Sequence, residues 1–233
     1  MELGGKDPAY VRADADPLFA AEQLVDGAMY NSGQSCCAIE RIYVHKQVFD
    51  KFVEHAVKTV KGYVLGSPLD PTTNLGPVVR VEAAQQIREH VKDAIAKGAT
   101  PLIDESLFPL AKEGTSFVAP QILTNVDHSM KIMTEETFGP VVGIMKVDSD
   151  EEAIELMNDS NYGLTASVWT NNRVEGLAIG KRYFLLYNLI ISLEWKRERS
   201  LLIAAITLTR FCHGLASRIV EEVAPCQNMD SLK

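Results

Sequence analysis

Basic charge is in short supply: 23 Lys and Arg face 31 Asp and Glu, which leaves a net charge of -8 over 233 residues. A nucleic-acid surface or a face for anionic membranes would need the opposite balance, so a small molecule is the expected ligand. Cysteine is scarce as well, with Cys36, Cys37, Cys212 and Cys226 as the full set. No CxxC spacing occurs among them, so neither a zinc ribbon nor a disulfide framework is expected; reduced thiols and no metal are. Apolar runs fall short of the roughly 20 residues that span a bilayer, so no membrane span is expected. Met1 to Lys6 has neither the apolar core of a signal peptide nor the Arg-rich character of a transit peptide, and a cytoplasmic location is expected. Repeats, low-complexity tracts and a glycine-rich phosphate loop are also lacking.

What remains is enough to build a substantial core, since 46% of the residues are hydrophobic, sufficient for one large domain or two small ones. Short β-rich runs alternate with amphipathic stretches, the pattern of an α/β domain. Residues 17–32 space their apolar positions helically, with Asp16 as N-cap before Pro17 at the first helical position. A strand is expected over 41–45, a helix over 46–63, and a long turn-rich connection from Gly66 to Pro77. A helix over 81–97 should close at Gly98. Residues 101–104, 117–122 and 140–147 read as strands, and 151–158 as a further helix.

The chemistry concentrates at Asn31-Ser32-Gly33-Gln34-Ser35-Cys36-Cys37-Ala38. A cysteine on a glycine-containing turn between helix and strand can expose its thiol while backbone N–H groups face a developing oxyanion. An isolated Cys-Cys pair, however, is more simply a pair of buried structural thiols, because Cys is among the most buried residue types.

Further pattern comes from the opening Glu2-Leu3-Gly4-Gly5-Lys6. Together with Gly33-Gln34-Ser35-Cys36, in this order and with a helix between, it resembles the two signature segments of the aldehyde dehydrogenase superfamily. Glu135-Glu136-Thr137-Phe138-Gly139-Pro140 is similar to the family's nicotinamide-side motif. Two looser landmarks agree, Asp70-Pro71 through Gly76-Pro77, and Asn161-Tyr162-Gly163-Leu164 through Val168. The resemblance covers Met1 to about Arg182.

It implies an α/β catalytic domain over 1–182, with an open, mostly parallel sheet flanked by helices on both faces. It also implies NAD(P)-dependent oxidation of an aldehyde to a carboxylic acid through a cysteine thiohemiacetal and a thioester. Carried over by motif position, Cys36 would be the nucleophile and Glu2 the general base that activates water. Glu136 would hydrogen-bond the nicotinamide ribose of NAD or NADP, and Phe138 would pack beside the nicotinamide ring. Leu3 and Gly4 would lie on the cofactor side, where Gly4 and Gly5 let the backbone come close to the ring.

Relatives carry a dinucleotide-binding domain ahead of the Glu-Leu-Gly-Gly segment, and with it the second oxyanion donor, so neither is expected in these residues. Past Arg182 the family pattern stops, and unrelated sequence is expected to have replaced the family C-terminus. The apolar runs over 183–193 and 201–208, separated by charges, are expected to form a helical or poorly ordered tail of low solubility. Two alternatives stand beside the enzyme. One is a catalytically inactive fragment that binds full-length homologous subunits; the other is a product attached to a membrane by its tail. A small-molecule aldehyde and homologous subunits, either a second copy of the chain or full-length relatives, are the expected partners.

Overall fold

The computed structural model describes residues 4–183, 190–195 and 202–207. Among them an open sheet of eight strands forms the centre. In chain order these are β1 (Asp7–Val11), β2 (Ile39–His45), β3 (Thr100–Pro101), β4 (Gln121–Thr124), β5 (Val141–Val147), β6 (Ser167–Thr170), β7 (Ile190–Trp195) and β8 (Leu202–Thr207). Their order across the sheet is β3-β4-β5-β2-β1-β6-β8-β7. The middle run from β4 to β6 is parallel throughout, and the strands at either end, β3, β8 and β7, are antiparallel to their neighbours.

Helices cover both faces of the sheet because its central strands are apolar on both sides. On β1, Ala9 and Val11 face one way and Tyr10 the other; on β2, Ile42 and Val44 oppose Tyr43. The first face receives α1 (Pro17–Met29) and α2 (Phe49–Lys61) through Leu24, Val25, Phe52 and Val60. The second receives α3 (Val81–Ala96), α4 (Lys131–Thr134), α5 (Asp150–Asn158) and α6 (Arg173–Tyr183), through residues such as Ile87, Ile132, Ile154 and Ile179. A side chain such as Leu24, fully buried, contributes about 2 kcal/mol by leaving water.

The ends of these helices follow their sequence signals. Asp16 caps α1, its carboxylate accepting from the N–H groups of Leu18 at 3.0 Å and Phe19 at 3.4 Å. Gly98, just past α3, has φ +106, a conformation that suits glycine alone without strain. Arg41 is fully buried and stops α5 by donating to the carbonyls of Leu156, Met157 and Asp159 at 3.2 to 3.3 Å. Beyond the carboxyl ends of the parallel strands, Arg12 donates to both Asp150 oxygens, and Asp14 accepts from Thr170 at 2.7 Å.

Several expectations need correction. The strand read over 117–122 begins only at Gln121, since Pro120 has no N–H to give to a ladder. Of the strand read over 101–104 only Pro101 is in a strand, as the second residue of β3. No strand was expected at β1, and its Pro8 is accommodated by a register shift between Asp7 and Pro8. For the tail, a helix was one expectation, but β7 and β8 are strands, β8 pairing with β6 through Trp169–Ile203 and Thr170–Leu202. Their apolar, β-branched sequences suit an extended chain, and β6 offers an edge to extend. The other tail residues expected to be helical or poorly ordered lie outside the described residues.

Candidate active site

Because β1, β2, β5 and β6 run parallel, the segments that enter them gather along one edge of the sheet. Gly4 to Lys6 enters β1, Gln34 to Ala38 enters β2, Glu135 to Pro140 enters β5, and Tyr162 to Ala166 enters β6. Cys36, Glu136, Phe138 and Gly4 are therefore brought together by strand polarity. Glu2 and Leu3, the other two expected site residues, lie outside the described residues.

The loop that bears Cys36 is tightly shaped. After α1 the chain makes a turn over Tyr30–Gly33 in which Asn31 and Ser32 are left-handed, with φ 51 and 57. Each such residue costs roughly 1–2 kcal/mol, and polar contacts hold them. The Asn31 side chain donates to the Gln34 carbonyl at 3.0 Å, and the Ser32 hydroxyl to the Gly76 carbonyl at 2.8 Å. The Gln34 side chain accepts from Val79 N–H at 2.7 Å and donates to the Asn31 carbonyl at 3.0 Å. So the turn-rich connection ending at Pro77 is the buttress of the cysteine loop. Gly33, at φ +72, packs directly on the Gly139–Pro140 backbone, where any side chain would collide. Cys36 and Cys37 are both exposed and outside any disulfide. The Ser35 hydroxyl lies 3.3 Å from Cys37 Sγ.

Gly5 joins the three segments. Its N–H donates to Glu136 Oε1 at 2.7 Å, and its Cα abuts the Cys36 carbonyl so closely that a Cβ would overlap that oxygen. Beside it, a side chain on Gly4 would meet the Tyr162 ring at 3.0 Å and Glu136 Oε2 at 3.2 Å. Phe138 is itself left-handed, with φ 52.

A buried polar cluster lies behind this surface. The Lys6 ammonium donates to Glu40 Oε2 at 2.6 Å and to Thr137 Oγ1 at 3.2 Å. The Glu40 carboxylate also accepts the N–H groups of Thr137 and Phe138, both at 2.9 Å. His90 Nδ1 is 3.2 Å from Thr137 Oγ1, and the Arg41 guanidinium donates to the Lys6 carbonyl at 2.9 Å. Burial pushes the Lys6 ammonium below its usual pKa, against the pull of Glu40. Burial, then the Lys6 charge, lowers His90 too.

Lys6, Glu40, Thr137 and Gln34 were not singled out by sequence. The available signal was Glu40-Arg41, two charges at the head of an otherwise apolar strand, a pattern that fits buried and paired groups as well as exposed ones. Among the described residues, no three His, Cys, Asp or Glu side chains come together as a metal site would require, and no helix is long and apolar enough to cross a membrane.

The model of the aldehyde dehydrogenase family matches residues 1–183. An aldehyde dehydrogenase of Paenarthrobacter nicotinovorans is 43% identical over 176 residues, which is 75% of this chain and 38% of that protein. Human retinal dehydrogenase 2 is 38% identical over 179 residues, 77% of this chain and 34% of that protein. Among solved structures, the NADP-dependent glyceraldehyde-3-phosphate dehydrogenase of Bacillus halodurans in complex with NADP superposes with a TM-score of 0.72 and 39% identity. That likeness covers 78% of this chain and 37% of the other. The chain thus spans little more than a third of the length of these relatives.

Proposed function

The chain belongs to the aldehyde dehydrogenase family, and from that premise we propose that it carries the chemistry of NAD(P)-dependent aldehyde oxidation, with Cys36 as the nucleophile. The observation that supports this reading best is Gly5, which packs on the Cys36 carbonyl while its N–H holds the Glu136 carboxylate. Nucleophile loop and nicotinamide-side motif are thereby held in one small volume.

In this reading the Cys36 thiolate adds to the aldehyde carbon, and the Cys36 backbone N–H helps to stabilise the oxyanion of the thiohemiacetal. When bound, NAD(P) supplies the hydride acceptor for that carbon. The acyl group then remains on Cys36 as a thioester. Glu2 takes a proton from the water that hydrolyses it, releasing the carboxylic acid and the thiolate. Glu136 and Phe138 orient the nicotinamide end of the cofactor. The residues present suit that end of the group: the half-buried Glu136 carboxylate is a hydrogen-bond acceptor, and Gly4 and Gly5, with no side chains, let the Tyr162 ring, Glu136 and the Cys36 loop close up around them. For the adenine and phosphate end, the sequence offers no glycine-rich phosphate loop.

Hydrolysis of an activated ester without nucleotide tests the reading, because it needs the thiolate and the deacylating base but no hydride acceptor. Turnover should vanish in Cys36→Ala, and acyl-enzyme should accumulate in Glu2→Gln. A folded parent chain with no Cys36-dependent turnover would overturn it. A second reading is that the chain binds full-length relatives without turnover of its own. Copurification with a full-length homologue, in a sample silent in the ester assay, would favour it.

A further inference from the structure

We propose that Lys6 and Glu40 are positioning residues whose ion pair holds Glu136 and Phe138 in the conformation that meets the nicotinamide nucleotide. This inference rests on the reading of Glu136 and Phe138 given above.

The pair touches all three segments of the site. Glu40 lies four residues after Cys36, on the strand that leaves the nucleophile loop. Lys6 follows Gly5 directly, and its backbone carbonyl is fixed by Arg41. The Glu40 carboxylate binds the two consecutive N–H groups of Thr137 and Phe138, and Lys6 binds the Thr137 hydroxyl.

Both side chains are buried, Lys6 at 1% and Glu40 at 4% exposure. An ion pair removed from water in this way is a poor device for stability, because the desolvation of both charges offsets their attraction; an apolar pair of similar volume often serves as well or better. What the pair supplies that an apolar pair cannot is a double acceptor for backbone. Phe138 needs one, because its left-handed backbone is strained for a residue with a side chain. With its N–H held, the Phe138 ring and the Glu136 carboxylate leave the chain in fixed directions. Glu40 is thus the anchor from which the nicotinamide-side motif is aimed.

The experiment uses the whole chain and three forms of it: the parent, Lys6→Met with Glu40→Leu, and Lys6→Met with Glu40→Gln. The first double variant removes both charges together, so no unpaired ion is buried, while the second restores a carbonyl acceptor. Thermal unfolding checks that each is folded. Amide hydrogen exchange is then read at Thr137 and Phe138, and nicotinamide mononucleotide is used to protect Cys36 from iodoacetamide. In the Met/Leu form we expect a cooperatively folded chain, less stable than the parent because two N–H groups lose their acceptor. Exchange at the two amides should quicken at least about tenfold beyond any general rise across the sheet, the worth of one hydrogen bond to a charged acceptor. Protection by the mononucleotide should weaken by a similar factor, and the Met/Gln form should recover part of both effects.

Unchanged exchange at Thr137 and Phe138 in the folded Met/Leu form would overturn the clamp. Faster exchange with undiminished protection would overturn the positioning role alone. If the parent itself is not protected, and Glu136→Gln behaves as the parent does, the assignment of Glu136 falls and the positioning role falls with it. Should the Met/Leu form fail to fold, the same readings on Glu40→Gln decide in the same way, and an unchanged pair of amides there overturns the clamp.

Discussion

Replacing Gly5 by alanine isolates the contact on which the site depends. Its new methyl group would sit about 1 Å inside van der Waals distance of the Cys36 carbonyl oxygen. That neighbour is backbone, so no rotamer change relieves the overlap, and the two segments have to part by about the same amount. Misplacement of reacting groups by about 1 Å can cost on the order of 10²-fold in rate. Ester hydrolysis by Gly5→Ala should therefore fall by about that factor. Gly98→Ala is the control: its φ of +106 strains the backbone, but its Cβ would meet nothing within 4 Å, and it lies beyond α3, away from the entry loops. It should lose roughly 1–2 kcal/mol of stability while keeping the parent's ester hydrolysis. Gly5→Ala with parent-like turnover and parent-like unfolding would refute the reasoning.

Three further outcomes are expected. Burial raises the Asp7 carboxyl to about 7, against the opposing hydrogen bond from Thr165. The folded chain then holds that proton more tightly than the unfolded one, so the stability it contributes is present below about pH 4 and lost as pH rises through 7. Urea titrations should accordingly find Asp7→Asn more stable than the parent at pH 8 by a few kcal/mol, with the difference closing toward pH 4; no pH dependence in the difference would contradict this. Arg41→Met leaves the carbonyls at the end of α5 without their donor and should cost roughly 3 kcal/mol or more in urea unfolding. Asp16→Ala removes the cap of α1 and should cost about 1 kcal/mol by the same assay, with ester hydrolysis unchanged.

Where sequence legibility succeeded, the determinants were local. Asp16-Pro17 and Gly98 each act within a residue or two of themselves, and both mark helix ends in the structure. Alternation and apolar runs likewise found β2, β5, α1, α2, α3 and α5 but not α4, α6 or β6, and the mostly parallel sheet was implied by the family resemblance. Cys36, Glu136, Phe138 and Gly4 were singled out by motif position alone, and strand polarity is what brings their segments together. Glu40 was missed because its partners stand 34 and 97 residues away in the chain; nothing in its immediate neighbourhood separates it from a surface carboxylate. β1 was missed because Pro8 reads as punctuation unless the register shift that absorbs it is known. β8 depends on an unpaired edge of β6, a property of the assembled sheet and not of residues 202–207.

The parallel strands also divide this chain by its tolerance of inherited change. Their carboxyl ends, tied by Arg12, Asp150, Asp14 and Thr170, lie on the edge opposite Cys36. Insertions and deletions in the turns there would leave the backbone contacts of the Cys36 loop untouched. The loops at the other edge meet backbone against backbone, Gly5 on Cys36 and Gly33 on Gly139. There no single loop can lengthen or gain a side chain unless its neighbour changes with it, so these segments have to evolve together.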